Sequence, residues 1–107
     1  MTGKAALIWC PFADADSAKS VIGQLLDERL IACANVLPGV QSNFLWQGES
    51  SEGDEVGVLF KTTARCLDAA MRRLEVLHPY EQPAITGWTV LASAATLAWL
   101  DAETQGD

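Results

Sequence analysis

The chain has 107 residues, half of them hydrophobic, and a formal net charge of −7. This length suits a single domain over residues 1–107 with one buried core. No apolar run approaches the roughly eighteen residues of a membrane span, and seven Lys and Arg argue against nucleic acid, because phosphate binding needs clustered basic residues.

The first predicted element is a strand in KAALIWCPF (4–12), an apolar run typical of a strand buried on both faces. Because the N-terminal stretch has one lysine and only this short run, it favours a strand over a signal peptide, and we expect a cytoplasmic location. Asp14 or Asp16 is predicted to cap the following helix. The apolar stripe of that helix is formed by Ala18, Val21, Ile22, Leu25, Leu26 and Leu30.

A long hairpin is predicted next. Its first strand lies in residues 32–48, with a bulge or bend at Pro38-Gly39, beyond which Val40, Phe44 and Trp46 share one face. The polar stretch ESSEGD (49–54) is predicted as the turn and EVGVLFKTT (55–63) as the return strand. We interpret the acidic cluster at this tip as a solvated turn, and a cation-binding patch is the alternative; the cluster comprises Glu49, Glu52, Asp54 and Glu55.

A second helix is predicted after Thr62 or Thr63, either of which can cap it. We expect it to end at His78, because the residue before a proline is pushed out of the helical region. AITGWTVL (84–91) is predicted as the fourth strand, and Ser93 as the start of a short final helix. The stripe of the second helix is formed by Leu67, Ala70, Met71, Leu74 and Leu77.

The order strand, helix, strand, strand, helix, strand predicts an α+β fold, the ferredoxin-like βαββαβ sandwich. The extended hairpin of the second and third strands and the C-terminal helix are additions to it. Right-handed crossovers predict the sheet order 4-1-3-2. Strand directions then place Cys10, the start of the first helix, the hairpin tip and the turn HPYEQP (78–83) at one rim, and Cys33 at the other.

Cys10 and His78, the only histidine, are therefore expected to lie at the same end of the molecule. A thiolate and an imidazole are ligands that copper and zinc prefer. Glu81 could supply a carboxylate, either as a further ligand or as the partner that fixes the imidazole tautomer. Two protein ligands are too few for a closed zinc site. On spacing alone, a buried thiol and a histidine that ends a helix explain both residues without a metal.

The three cysteines are Cys10, Cys33 and Cys66, an odd number without a C-x-x-C pair. This pattern is typical of reduced thiols, and we interpret Cys33 and Cys66 as inert.

The segments ERLIACANVLPGVQSNFLWQGE, LFKTT and HPYEQPAI, followed by LAWL, closely resemble the CutA family of divalent-cation tolerance proteins over about residues 5–100. The resemblance implies a cytoplasmic homotrimer with a role in tolerance of divalent metals, copper above all. It also implies a weak copper site with Cys10 and His78 as ligands. Independently of the resemblance, we expect Trp46 on the long, uncovered hairpin to pack against a neighbouring subunit and Tyr80 to hydrogen-bond across a subunit boundary. Together with Glu81, these residues are the candidate support for the site or for the interface.

Some positions depart from the family pattern. Leu77 stands where some members have a second histidine, and Ala84 stands where many have Glu. Pro11-Phe12 replaces the more usual small polar residue and proline. These departures weaken the expectation of tight metal binding by one protomer.

Two other functions stay open. A thiol-dependent enzyme could use Cys10 as nucleophile and His78 as base, although the stretch CPFADADS (10–17) contains no glycine-rich phosphate cradle. A trimeric small-molecule sensor resembling the P-II signalling proteins shares the same subunit topology. Few basic residues argue against a nucleotide ligand for such a sensor, but leave other ligands open.

Overall fold

The computed structural model describes residues 4–104. Four strands and three helices follow one another in the predicted order. Their bounds are β1 Ala5–Phe12, α1 Ala15–Asp27, β2 Cys33–Trp46, β3 Glu49–Thr63, α2 Ala64–Leu77, β4 Thr86–Val90 and α3 Ala94–Glu103.

The strands form one sheet in the order β2-β3-β1-β4. Strand β1 is central and pairs antiparallel with both β3 and β4, while β2 pairs antiparallel with β3. This is the predicted 4-1-3-2 order, so the predicted α+β architecture is confirmed. None of the helices within residues 4–104 is long and apolar enough to cross a membrane.

Helices α1 and α2 cover one face of the sheet, and the main core lies between them and the sheet. The expectation that β1 is buried on both faces is wrong for the single chain. Burial alternates along β1, and Leu7, Trp9 and Pro11 on the second face are only half-buried. The core is formed by Ile8, Cys10, Phe12, Ala18, Val21, Leu25, Ile31, Val58, Phe60, Ala70 and Leu74.

Each helix begins at a side chain that caps its first turn. Asp14 rather than Asp16 caps α1, and its Oδ1 accepts from the Ser17 N–H at 2.8 Å. Thr63 rather than Thr62 caps α2, and Ser93 caps α3 as predicted. An oxygen at the cap satisfies an N–H that has no partner within the helix, and so fixes where the helix begins.

The hairpin turn is not where the polar residues predict it. The chain reverses at Gln47 and Gly48, with φ of 53° and 83°, and residues 49–54 continue β3 by pairing with residues 41–46. Positive φ at both central residues is typical of a two-residue turn that matches strand twist. The prediction of ESSEGD as the turn is therefore wrong, because these polar residues lie in a strand exposed on both faces.

The predicted irregularity in β2 is confirmed by a register shift between Leu37 and Val40. Strand β1 pairs with β3 only as far as Val56, so from Glu55 outward β3 pairs with β2 alone. The hairpin consequently extends past the sheet, and the chain measures 46 × 24 × 22 Å.

Candidate functional site

The end of β1 and the end of α2 meet at one pole of the molecule. Helix α2 ends at Leu77, and His78 has the extended angles φ −67° and ψ 135° that a following proline favours. This bend turns the His78 ring onto Phe12, with ring centroids 4.2 Å apart and planes 18° from parallel. The first residue of the HPYEQP turn therefore packs against the last residues of β1.

Both ring nitrogens of His78 are engaged by the backbone. Its Nε2 lies 2.9 Å from the carbonyl oxygen of Pro11, and the Tyr80 N–H donates to its Nδ1 at 3.1 Å. A carbonyl oxygen only accepts, so Nε2 carries the proton and the imidazole is neutral. Burial, which leaves the side chain 6% exposed, lowers the pKa of His78, although the Pro11 carbonyl and Glu55 oppose that shift.

The Cys10 thiol lies beside the same carbonyl. Its Sγ is 3.6 Å from the Pro11 oxygen, and the residue is fully buried. Burial, with a smaller contribution from Glu55, raises the pKa of Cys10 to about 12. Cys10 and His78 thus lie together, as chain direction predicts, and their role in metal binding stays a prediction. Cys33, opposite Lys61, lies toward the other end of the sheet.

The arrangement does not fit a preformed copper centre. Within residues 4–104 there is no group of three or more His, Cys, Asp or Glu side chains that could hold a metal ion. Metal ligation needs a thiolate and a free imidazole lone pair, whereas Cys10 is a protonated thiol and both nitrogens of His78 are hydrogen-bonded. Backbone atoms therefore orient the imidazole, which is the role that the sequence suggested for the exposed Glu81.

Glu55 is the residue at this pole that sequence reasoning missed. The Tyr80 hydroxyl donates to Glu55 Oε2 at 2.7 Å, which ties the turn after α2 to the base of the long hairpin. Burial and this carboxylate raise the pKa of Tyr80. Glu55 pairs with Val40 directly after the irregularity in β2, and a bulge next to a site is the signal that could have identified it.

An open groove of about 690 Å³ lies between the outer part of the hairpin and the turn after α2. The residues that line it include Phe44 and Trp46 from the hairpin and Tyr80 and Pro83 from the turn. Trp46, predicted to support a site or an interface, is 42% exposed here. The groove adjoins the Cys10 and His78 pole because Pro11 also lines it.

Comparison with known proteins identifies one family over nearly the whole chain. The family model described as "CutA1 divalent ion tolerance protein" matches residues 6–103. The "Divalent-cation tolerance protein CutA" of Thermus thermophilus is 37% identical over 84 residues, which are 78% of this chain and 82% of that protein. The protein of the same name from Pyrococcus horikoshii is 40% identical over 79 residues, 74% of this chain and 76% of that protein.

Solved structures agree with this result. The crystal structure of CutA from Xylella fastidiosa superposes with a TM-score of 0.90 at 35% identity, covering 95% of this chain and 99% of that one. The crystal structure of CutA1 from Pyrococcus horikoshii gives 0.87 at 36% identity, covering 94% and 98%.

Proposed function

This chain belongs to the family of CutA1 divalent ion tolerance proteins, and from that membership we propose that it acts in tolerance of divalent cations as a cytoplasmic homotrimer that contacts copper weakly near Cys10 and His78. The observation that carries the metal part of the proposal is the meeting of a sulfur and an imidazole nitrogen at the Pro11 carbonyl. These are donor types that copper prefers. Because both donors are already hydrogen-bonded or protonated, the proposed contact is weak.

Exposed apolar side chains support the trimer. Phe44, Leu45 and Trp46 on the hairpin and Trp88 on β4 are each more than 40% exposed in the single chain. The hairpin also extends past the sheet, and an uncovered strand edge invites pairing with another chain. Closure of three copies around an axis would cover such edges.

The cytoplasmic location is supported by three free cysteines, Cys10, Cys33 and Cys66, which are typical of a reducing compartment. Fractionation of cells that produce the tagged chain tests it. Recovery in a secreted or periplasmic fraction would contradict the proposal.

The metal proposal is tested by calorimetric titration of Cu²⁺, without oxygen, into wild type, Cys10→Ser and His78→Ala. We expect weak binding by wild type and a loss in both variants. Cys33→Ser is the matched control, because it removes a thiol toward the other end of the sheet. Identical curves for wild type, Cys10→Ser and His78→Ala would rule out the assigned ligands.

The trimer is tested separately, by light scattering at micromolar concentration in the presence of a chelator. We expect three times the protomer mass. A monomer would refute the assembly without bearing on the copper titration, since each measurement has its own readout.

A small-molecule sensor is the second candidate, and the open groove beside Tyr80 favours it. A thiol-dependent enzyme is not favoured, because a nucleophilic cysteine needs a lowered pKa and access to substrate. The pKa of Cys10 is raised and its side chain is fully buried.

A further inference from the structure

Helix α3 lies at the end of the sheet opposite the pole described above. It follows β4, whose last residue, Val90, pairs with Ala5 at the start of β1. Its last turn reaches Arg29, just beyond the end of α1, and Arg65, in the first turn of α2. Helix α3 therefore ties together segments that are far apart in sequence.

The apolar anchor of α3 is small. Of its ten residues only Leu100 is buried, with 2% of its surface exposed. Within the described part of the chain, α3 packs chiefly against β3. A helix of about ten residues is marginal on its own in water, so α3 depends on its contacts with the rest of the chain.

Two arginines supply the polar contacts. Arg29 Nη1 donates to Glu103 Oε1 at 2.9 Å. Arg65 Nη2 donates to Asp101 Oδ1 at 3.3 Å and to the carbonyl oxygen of Thr104 at 3.0 Å. Both guanidinium groups lie at the C-terminal end of α3, where the helix dipole attracts cations. The side chains of both ion pairs are about half exposed, so salt screens these attractions.

The backbone at Arg29 is one that glycine favours. Arg29 follows the C-cap of α1 and has a φ of 59°. The N–H groups of Arg29 and Leu30 donate to the carbonyls of Leu26 and Leu25, a pattern in which the left-handed residue is usually glycine. A side chain is unfavourable in this conformation, but glycine would lose the bond to Glu103. The contact with α3 therefore offsets the backbone strain.

Cys66 lies beside the same contact. It is in the first turn of α2 and fully buried, yet like Leu100 it lies outside the main core cluster. Arg65 Nη1 donates to Cys66 Sγ at 3.7 Å, while Nη2 of the same guanidinium group holds the last turn of α3. The thiol is thus next to the place where α3 is fastened.

From these contacts we propose that α3 is a releasable strap, held by one apolar anchor and two screened ion pairs, that opens as a unit before the rest of the fold and uncovers Cys66. Elements with few buried contacts open locally at a lower free energy than the whole domain. Rising ionic strength favours the open form, because it weakens the ion pairs of the closed one. The main core between the sheet and helices α1 and α2 stays closed.

The test is iodoacetamide labelling of the native full chain at pH 8 with a chelator, read for each cysteine by peptide mass spectrometry. Each rate is divided by that of N-acetylcysteine in the same buffer, which removes the effect of salt on the thiol reaction itself. When closing is faster than labelling, the rate follows the population of the open form. We expect Cys66 to react about two- to fivefold faster when NaCl is raised from about 0.05 to about 0.5 M, while Cys10 in the main core stays resistant.

The variants separate the strap from general stability. Asp101→Asn removes one ion pair and is expected to speed the labelling of Cys66 about two- to fivefold at low salt. Asp68→Asn is the matched control, because it removes the same charge from an exposed ion pair within α2. Arg29→Gly is expected to speed the labelling of Cys66 without lowering the denaturation midpoint, because glycine suits the positive φ at that position.

Three results would overturn the proposal. Labelling of Cys66 as slow as that of Cys10 would mean that both thiols are reached only through global unfolding. Equal rates in Asp101→Asn and Asp68→Asn would mean that the ion pairs do not hold α3. A Cys66 rate that rises on dilution and ignores salt would mean that a neighbouring copy of the chain holds the helix instead.

Discussion

Replacement of His78 by alanine separates a structural role from a metal-binding one. In the metal-free protein the imidazole accepts from the Tyr80 N–H, donates to the Pro11 carbonyl and stacks on Phe12. If His78 served only as a ligand, its removal in the presence of a chelator would leave stability unchanged. The structure instead predicts a loss of stability without any metal.

The magnitude follows from the contacts that are lost. Each of the two hydrogen bonds contributes about 1 kcal/mol, and the ring contact with Phe12 contributes about another 1 kcal/mol. His78→Ala is therefore expected to lower the free energy of unfolding by about 3 kcal/mol. His78→Asn, whose side-chain oxygen can still accept from the Tyr80 N–H, is expected to lose about 2 kcal/mol.

The assay is guanidinium denaturation with EDTA at one protein concentration, because the stability of an oligomer depends on concentration. Val76→Ala is the control, since Val76 lies in the last turn of α2 and is 73% exposed; we expect a change within about 0.5 kcal/mol. An unchanged midpoint for His78→Ala, or a loss seen only with copper present, would refute the structural interpretation.

The pH dependence of stability gives the same residue a second test. The folded pKa of His78 is lowered below its ordinary value of 6.5, so the unfolded chain takes up the proton first as pH falls. The stability that neutral His78 contributes is complete above about pH 6.5 and is lost as pH falls through the folded pKa. Asp14 and Glu28, whose pKa values are also lowered, titrate at lower pH. We expect the free energy of unfolding of His78→Asn to fall less steeply than that of wild type as pH drops below about 6.5. Parallel dependence of the two proteins on pH would contradict this.

Three further substitutions or labelling experiments test the fold around the site. Cys10 is expected to resist iodoacetamide at pH 8 in the native protein while the partly exposed Cys33 reacts, as read by peptide mass spectrometry; fast labelling of Cys10 would contradict its burial. Gly57→Ala is expected to cost about 2 kcal/mol, because an added Cβ would overlap the indole ring of Trp9. Gly53→Ala, with nothing within 4 Å, should unfold like wild type, and equal losses would refute the packing argument. Thr63→Ala should cost about 1 kcal/mol and Thr63→Ser little, in thermal or chemical unfolding, because serine keeps the cap; equal effects would show that the cap is not what matters.

Topology could be predicted from the sequence because its signals are local and repeated. Apolar stripes identify α1 and α2, and the rules for crossovers then leave few sheet orders. Ser93 is recognisable as a cap because its side-chain oxygen precedes a helical pattern, whereas the same signal leaves Thr62 and Thr63 as equal candidates for the second helix. Pro38-Gly39 marked the irregularity in β2 for a similar reason, because proline and glycine disturb a regular strand.

The hairpin register could not be predicted in the same way. Beyond Glu55 both faces of the hairpin are exposed, so no alternation of apolar and polar residues fixes which residues pair. A turn at residues 49–54 would place Gly48 opposite Glu55, whereas the actual turn at Gln47 and Gly48 places Val40 there. The contact between Glu55 and Tyr80 depends on that register, so the sequence pattern alone places Glu55 in the exposed tip of the hairpin.

Proximity and availability of donor atoms are different properties, and the sequence predicts only the first. Chain direction brings Cys10 and His78 together, but the backbone that does so also occupies their donor atoms through the Pro11 carbonyl. A metal that took an imidazole nitrogen would have to replace one of these hydrogen bonds, so copper affinity and local stability oppose each other. Glu55 is the converse case, because Tyr80 fixes its position and still leaves acceptor positions open.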